Sequence, residues 1–152
     1  MISVAPIGLQ SLQGRRVSLE RSAPEHAPFL RQCYQNDEFM DLYRLAQDRR
    51  QTEEQIRERL AKEQQFLPQQ LKRIEWIIHL KNDNGDNQPV GLISLADYRR
   101  AHHRAEFLIG VLPAEQRGTG TALEASLLVL DFAFNQIQLH KVIAYIYGYN
   151  HY

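Results

Sequence analysis

Apolar and polar residues alternate through Arg16-Val-Ser-Leu-Glu-Arg21, which predicts a first strand with one buried face. Ser22-Ala-Pro-Glu25 follows as a helix start, with Pro24 accepted in the first turn, and residues 25–35 read as a short helix. A second helical stretch carries Phe39, Met40, Leu42, Tyr43 and Leu45. Thr52-Glu-Glu-Gln55 has capping-box spacing, and the helix it opens shows only the thin apolar stripe Ile56, Leu60, Leu67 before Pro68. Its wet side offers the i,i+4 pairs Glu53–Arg57 and Glu58–Lys62.

From Glu75 the period becomes two. Trp76, Ile78 and Leu80 alternate with Ile77, His79 and Lys81, and Asn82 to Asn87 makes a turn. Val90 to Tyr98 is the second strand of a meander, Arg99 to His103 its connection, and Ala105 to Leu112 a third, more continuously apolar strand. Leu123, Leu127, Leu130 and Phe134 recur at helical spacing, and Lys141 to Tyr147 is a final β-rich run. Residues 1–14 show little periodicity and read as a loose arm. Residues 15–152 then form one domain: strand, two or three helices, three strands, helix, strand. The fold class is α/β, with a mixed, mostly antiparallel sheet flanked by helices on both faces.

Composition narrows the function classes. With 18 Lys+Arg against 18 Asp+Glu, no global field favours nucleic acid or an anionic membrane, although Arg99, Arg100, His102, His103 and Arg104 form a local basic cluster. No apolar run approaches the roughly 20 residues of a membrane span, and the N-terminus lacks a signal-peptide pattern. The single cysteine, Cys33, excludes an internal disulfide framework and fits a reducing cytoplasm; it reads as a small helix residue. The six histidines show no HxxxH spacing and there is no CxxC, which argues against a metal site.

Candidate chemistry concentrates in Pro113-Ala-Glu-Gln-Arg-Gly-Thr-Gly-Thr-Ala122, between an apolar strand and a helix. Outward amides and the positive end of the helix dipole make such a junction an anion site, usually for phosphate. Gly118 and Gly120 let the backbone approach a ligand, and Thr119 and Thr121 add hydroxyls. A tight strand-to-helix turn without any ligand uses glycine in the same way. The run is neither a Walker A loop, since Gly-Lys-Ser/Thr is absent, nor a dinucleotide fingerprint, since a third glycine and an opening βαβ unit are lacking.

Arg117-Gly-Thr-Gly-Thr-Ala122 resembles the Gln/Arg-x-x-Gly-x-Gly/Ala motif of the GNAT superfamily of N-acetyltransferases, and the order of elements matches that family. Over residues 91–150, "GLISLADYRRAHHRAEFLIGVLP" and "FAFNQIQLHKVIAYIYGYN" are similar to the branch with spermidine acetyltransferases and ribosomal-protein alanine acetyltransferases. The resemblance implies acetyl-CoA as cosubstrate, no metal, and a primary amine as acceptor: a small metabolite, a peptide N-terminus or a polyamine. It implies that Arg117, Gly118, Thr119, Gly120, Thr121 and Ala122 cradle the diphosphate. Ile109, Gly110 and Val111 would offer backbone bonds to the pantetheine arm and thioester oxygen, and Asn150 would touch the cofactor. No nucleic acid or membrane partner is implied, and a homo-oligomer is compatible.

Transfer also needs a base, because an alkyl ammonium with a pKa of about 10 leaves only about one molecule in a thousand nucleophilic at neutral pH. Glu106, just before the cofactor strand, and Asp97 are the candidates. Pairing with Arg104 would make Glu106 merely structural, and a strand-end aspartate such as Asp97 often just faces water. Three departures from the family stand out. One extra residue lies between Pro113 and Arg117. The family's acid tyrosine lies on a helix beyond the position of Asn150, so the domain is expected to be C-terminally incomplete at Tyr152, with Tyr149 and Tyr152 no simple substitutes. The acidic Trp-Phe-Glu-Glu-Pro stretch of the polyamine branch is replaced by a region with Arg44, Arg49 and Arg50, which a polycation would not favour. The alternative to an enzyme is a non-catalytic coenzyme A-binding or regulatory module.

Overall fold

The computed structural model describes residues 11–43, 46–82, 87–112 and 120–144. Six strands lie in sequence order across one sheet. They are β1 (Ser11–Gln13), β2 (Val17–Arg21), β3 (Ile74–Lys81), β4 (Asn87–Arg99), β5 (Arg104–Val111) and β6 (Lys141–Ala144). Every neighbouring pair is antiparallel except β5 with β6, which the intervening helix makes parallel. The end of the expected arm contributes an edge strand, β1, because Leu12 can pair with Leu19 and bury its side chain.

The first five residues of strand β3, Ile74 to Ile78, are buried on both faces, and Glu75 is the one charged residue among them. Trp76 and Ile78 enter the core under the C-terminal helix α4 (Thr121–Asp131), where Phe132 meets Trp76 edge to face at 5.1 Å. Ile77 enters the opposite core, beneath α1 (Ala27–Tyr34), α2 (Asp37–Tyr43) and α3 (Glu53–Glu63). Asn36 Oδ1 accepts the Phe39 N–H at 2.8 Å to start α2. The predicted capping box starts α3: Gln55 N–H donates to Thr52 Oγ1 at 3.1 Å, and Thr52 N–H to Gln55 Oε1 at 2.9 Å. Helix α3 ends at Glu63, before Pro68, and Arg57 reaches both Glu53 and Glu54 on its wet side.

The expected apolar face of α4 is rotated. Leu123 and Leu127 are 66% and 58% exposed, whereas Ala125, Val129, Phe132 and Ala133 are buried. A helix apolar nearly all round does not reveal its inward stripe by periodicity, and small residues let the backbone approach the sheet. A π-turn at Phe132–Gln136, closed by Ile137 N–H to the Phe132 carbonyl at 3.1 Å, brings Phe132 and Ala133 inward together.

Candidate functional site

Strand β5 bonds β4 from Arg104 to Val111 but pairs β6 only from Arg104 to Phe107. Beyond Phe107 its outer edge has no strand partner among the described residues. Leu112 N–H donates to the Val90 carbonyl on the β4 side. Antiparallel alternation therefore turns the backbone groups of Val111 and Ile109 to the open edge and those of Gly110 toward β4. Gly110 has a different reason to be glycine. A Cβ there would lie 2.6–3.0 Å from the Phe39 ring, so the missing side chain lets α2 close on the sheet.

Gly120 stands at the N-cap of α4 with φ +90°, a conformation glycine adopts without strain. The first helical bond is Glu124 N–H to the Gly120 carbonyl at 3.0 Å, so the N–H groups of the helix's own first turn, ahead of Glu124, have no intrahelical acceptor and face its N-terminal end. The Arg16 guanidinium adds a cation: a Cβ on Gly120 would lie 3.4 Å from Arg16 Nη1. Glu124 Oε2 accepts the backbone N–H of Arg16 at 2.7 Å and of Val17 at 3.0 Å, fastening the α4 start to β2. Thr121 and Ala122 belong to this helix start. Arg117, Gly118, Thr119, Asn150, Tyr149 and Tyr152 lie outside the described residues, as does Arg44.

Glu106 is half-buried on the face of β5 that carries Leu108 and Gly110, toward α1–α3. It opens on a cleft of about 470 Å³ whose walls include Asp97, Lys72, Arg73, Asp48 and Arg59. Glu106 forms no ion pair with Arg104. Asp97 shares the cleft but is 55% exposed, sits in a β-bulge with φ +48°, and has Arg99 Nε 3.3 Å from its Oδ1. The bulge fixes the cleft wall, since Tyr98 N–H donates to the Lys72 carbonyl at 2.7 Å.

Beneath the cleft lies a buried ionic cluster. Glu75 accepts from Tyr43 at 2.7 Å and Tyr34 at 3.0 Å, while Arg73 stands 3.4 Å from it and 2.7 Å from Asp48. Burial works to raise the Glu75 pKa, but Arg73, Arg59 and the two hydroxyls outweigh it and hold the carboxyl below its ordinary range. Burial, then the Glu75 charge, pushes both tyrosines well above theirs, so they act as donors. Burial likewise raises the Cys33 thiol, leaving it a packing residue.

The acetyltransferase (GNAT) domain model matches residues 16–151. The chain belongs to the GNAT acetyltransferase family. Among curated relatives, the spermidine N(1)-acetyltransferase of Escherichia coli K12 is 37% identical over 57 residues, 38% of this chain and 30% of that enzyme. The match thus spans less than a third of the curated relative. Among solved structures, spermidine N-acetyltransferase from Vibrio cholerae in complex with CoA and spermine superposes with TM-score 0.66 at 18% identity, over 85% of this chain and 70% of that one. A probable acetyltransferase superposes with TM-score 0.68 at 19% identity, over 88% and 72%. These likenesses establish the mixed GNAT sheet with flanking helices.

Within this GNAT fold, several charged residues escaped the sequence reading. Arg16, Lys72 and Glu75 lie far along the chain from the residues they join, and no short motif marks them. Glu20, His26 and His79 also converge, with each imidazole Nε2 3.3 or 3.4 Å from Glu20 Oε1. Ala23 N–H donates to His26 Nδ1 at 2.9 Å, so neutral His26 carries its proton on Nε2 and points it at Glu20. That tautomer leaves Nε2 no lone pair for a metal ion.

Proposed function

We propose that the chain is an acetyl-CoA-dependent N-acetyltransferase acting on a primary amine, with Glu106 as general base. The observation that carries this reading is the position of Glu106 on the cleft side of β5, three residues before a backbone N–H on the open strand edge. Acetyl-CoA would supply the thioester acyl group. The α4 amides from Gly120 to Ala122, Arg16 and the Arg117–Thr119 segment would hold its diphosphate, and Ile109 and Val111 its pantetheine arm. The described half of this cradle fits: it offers outward amides, a cation and a glycine in the left-handed region.

Glu106 would take one proton from the ammonium, directly or through one water; as the neutral nitrogen bonded to the acyl carbon and the carbon–sulfur bond broke, the second N–H proton would pass to the departing sulfur, releasing coenzyme A as its thiol. Negative charge gathering on the acyl oxygen needs a fixed donor. At about 3.3 Å per residue, Ile109 lies about 10 Å along the strand from Glu106 and Val111 about 16 Å. A glutamate side chain, one water and the reacting atoms span the first separation but not the second, which favours the Ile109 N–H. Asp97, exposed and beside Arg99, is a weaker base.

The neighbouring Vibrio enzyme is described in a dodecameric form. A homo-oligomer is in keeping with exposed Leu123, Leu127 and Phe134 here, and a cytoplasmic location with the buried, unpaired Cys33. The deciding experiment is thiol release from acetyl-CoA across an amine panel, with coenzyme A affinity measured in parallel. Glu106→Gln should lower kcat about 100-fold with little change in that affinity. Undiminished turnover would place the base elsewhere. Tight binding with no transfer to any amine would leave the chain a coenzyme A-binding module.

A further inference from the structure

The charges around the cleft separate into those that already have partners and those that do not. Arg73 is held by Asp48 and Glu75, Arg59 by Tyr34 with Glu63 and Glu75 nearby, and Asp97 by Arg99. Among the described residues Lys72 and Glu106 make no ion pair or side-chain hydrogen bond. The cleft therefore presents one unmatched carboxylate and one unmatched ammonium. Beside it, sharing Gln51 and Arg59, a second hollow of about 710 Å³ is lined by Arg50, Lys62 and Glu58. Among the described residues Arg50, Lys62 and Glu58 likewise have no side-chain partner, so this hollow adds two unmatched cations and one unmatched anion.

We propose that the acceptor is an amine that also carries a carboxylate, an amino acid or the N-terminus of a short peptide, with Lys72 as the specificity-determining residue. This rests on the acetyl-transfer reading of the same cleft. Glu106 faces the ammonium end, where the proton must be removed. Lys72, whose backbone carbonyl is tied to the bulge by the Tyr98 N–H and whose side chain is exposed at the cleft wall, receives the carboxylate. A polyamine offers Glu106 the same ammonium but sets further positive charge against Lys72, Arg50 and Lys62, which repel it.

The test uses the full chain and three acceptors: Ala-Ala, Ala-Ala amide and spermidine. The first two differ only in the carboxylate. The kcat/KM ratio of Ala-Ala to its amide should be about tenfold, the scale of one charge-assisted hydrogen bond, with spermidine poorest. Lys72→Met should bring the ratio close to one through KM, and Lys72→Glu should reverse it; added salt should compress it in the wild type. Equal or better use of the amide or of spermidine would overturn the proposal, as would a ratio untouched by Lys72→Met. Calorimetric titration of each dipeptide into chain preloaded with coenzyme A separates this from the catalytic reading. If no acceptor is acetylated, that reading fails, and the binding preference alone decides: tighter Ala-Ala upholds dipolar recognition and equal binding sinks it.

Discussion

The Tyr43 hydroxyl donates to Glu75 Oε2 at 2.7 Å, with both side chains fully enclosed between the sheet and α2. Glu75 faces Ser94 on β4 and shares its side of the sheet with the apolar Ile77, Leu92 and Leu108, so its charge must be met by Tyr34, Tyr43 and Arg73. The same Arg73 reaches Asp48, which ties the Ala46–Arg50 turn to the start of β3 and forms the floor of the cleft.

Removing one member of such a cluster strands the others. Glu75→Gln keeps an oxygen for the tyrosines but leaves the buried Arg73 charge with Asp48 alone. It should cost about 3 kcal/mol of unfolding free energy in urea titrations. A loss below about 1 kcal/mol would show that water reaches the cluster and satisfies Arg73.

Gly110→Ala tests the contact of α2 with β5. The new methyl would overlap the Phe39 ring, and the cost should be about 1–3 kcal/mol. Combining it with Phe39→Leu should recover part of that loss, because the smaller side chain vacates the space. Two additive losses in the double variant would mean that Phe39 does not determine the glycine.

Much of this architecture was legible. Alternation located β2 to β5, and Thr52 to Gln55 announced both capping bonds. The start of α4 was legible because Gly120 there takes a left-handed backbone, a local property. The inward face of α4 was not legible, since Leu123 and Leu127 are as apolar as the buried Val129, and only close approach to the sheet selects Ala125 and Ala133. The ionic cluster was hidden for a related reason: Tyr34, Asp48, Arg73 and Glu75 carry no motif in sequence, and only the meeting of α1, the Ala46–Arg50 turn and the start of β3 brings them together. The missing side chain of Gly110 makes room for the ring of a residue 71 positions earlier, a packing constraint that no local pattern marks.

His79 predicts how stability responds to acid. Burial lowers its pKa below the ordinary value near 6.5, with Glu20 only partly compensating. The folded state thus binds the His79 proton less readily than the unfolded chain. The stability this confers is complete above about pH 6.5 and is lost as pH falls through the lower folded value. His79→Gln should flatten the decline in unfolding free energy below pH 6.5, measured by urea titration at successive pH values. A decline of unchanged steepness would assign it to other groups.

Glu124 makes two predictions of opposite sign. Its carboxylate serves as acceptor for the Arg16 and Val17 amides, and it places a negative charge in the first turn of α4. Glu124→Ala leaves the part-buried Val17 N–H without a partner and should cost about 1–3 kcal/mol in stability. Glu124→Gln keeps an acceptor oxygen and loses only the favourable meeting of charge and helix dipole, about 0.5 kcal/mol. If the α4 start holds a diphosphate, that same charge repels the ligand, so Glu124→Gln should bind coenzyme A severalfold more tightly at low ionic strength, an advantage that salt removes. Calorimetry at two salt concentrations with urea titration of the same variant reads both effects. Weaker coenzyme A binding by a stable Glu124→Gln chain would show that the carboxylate is needed to orient the cradle rather than tolerated beside it.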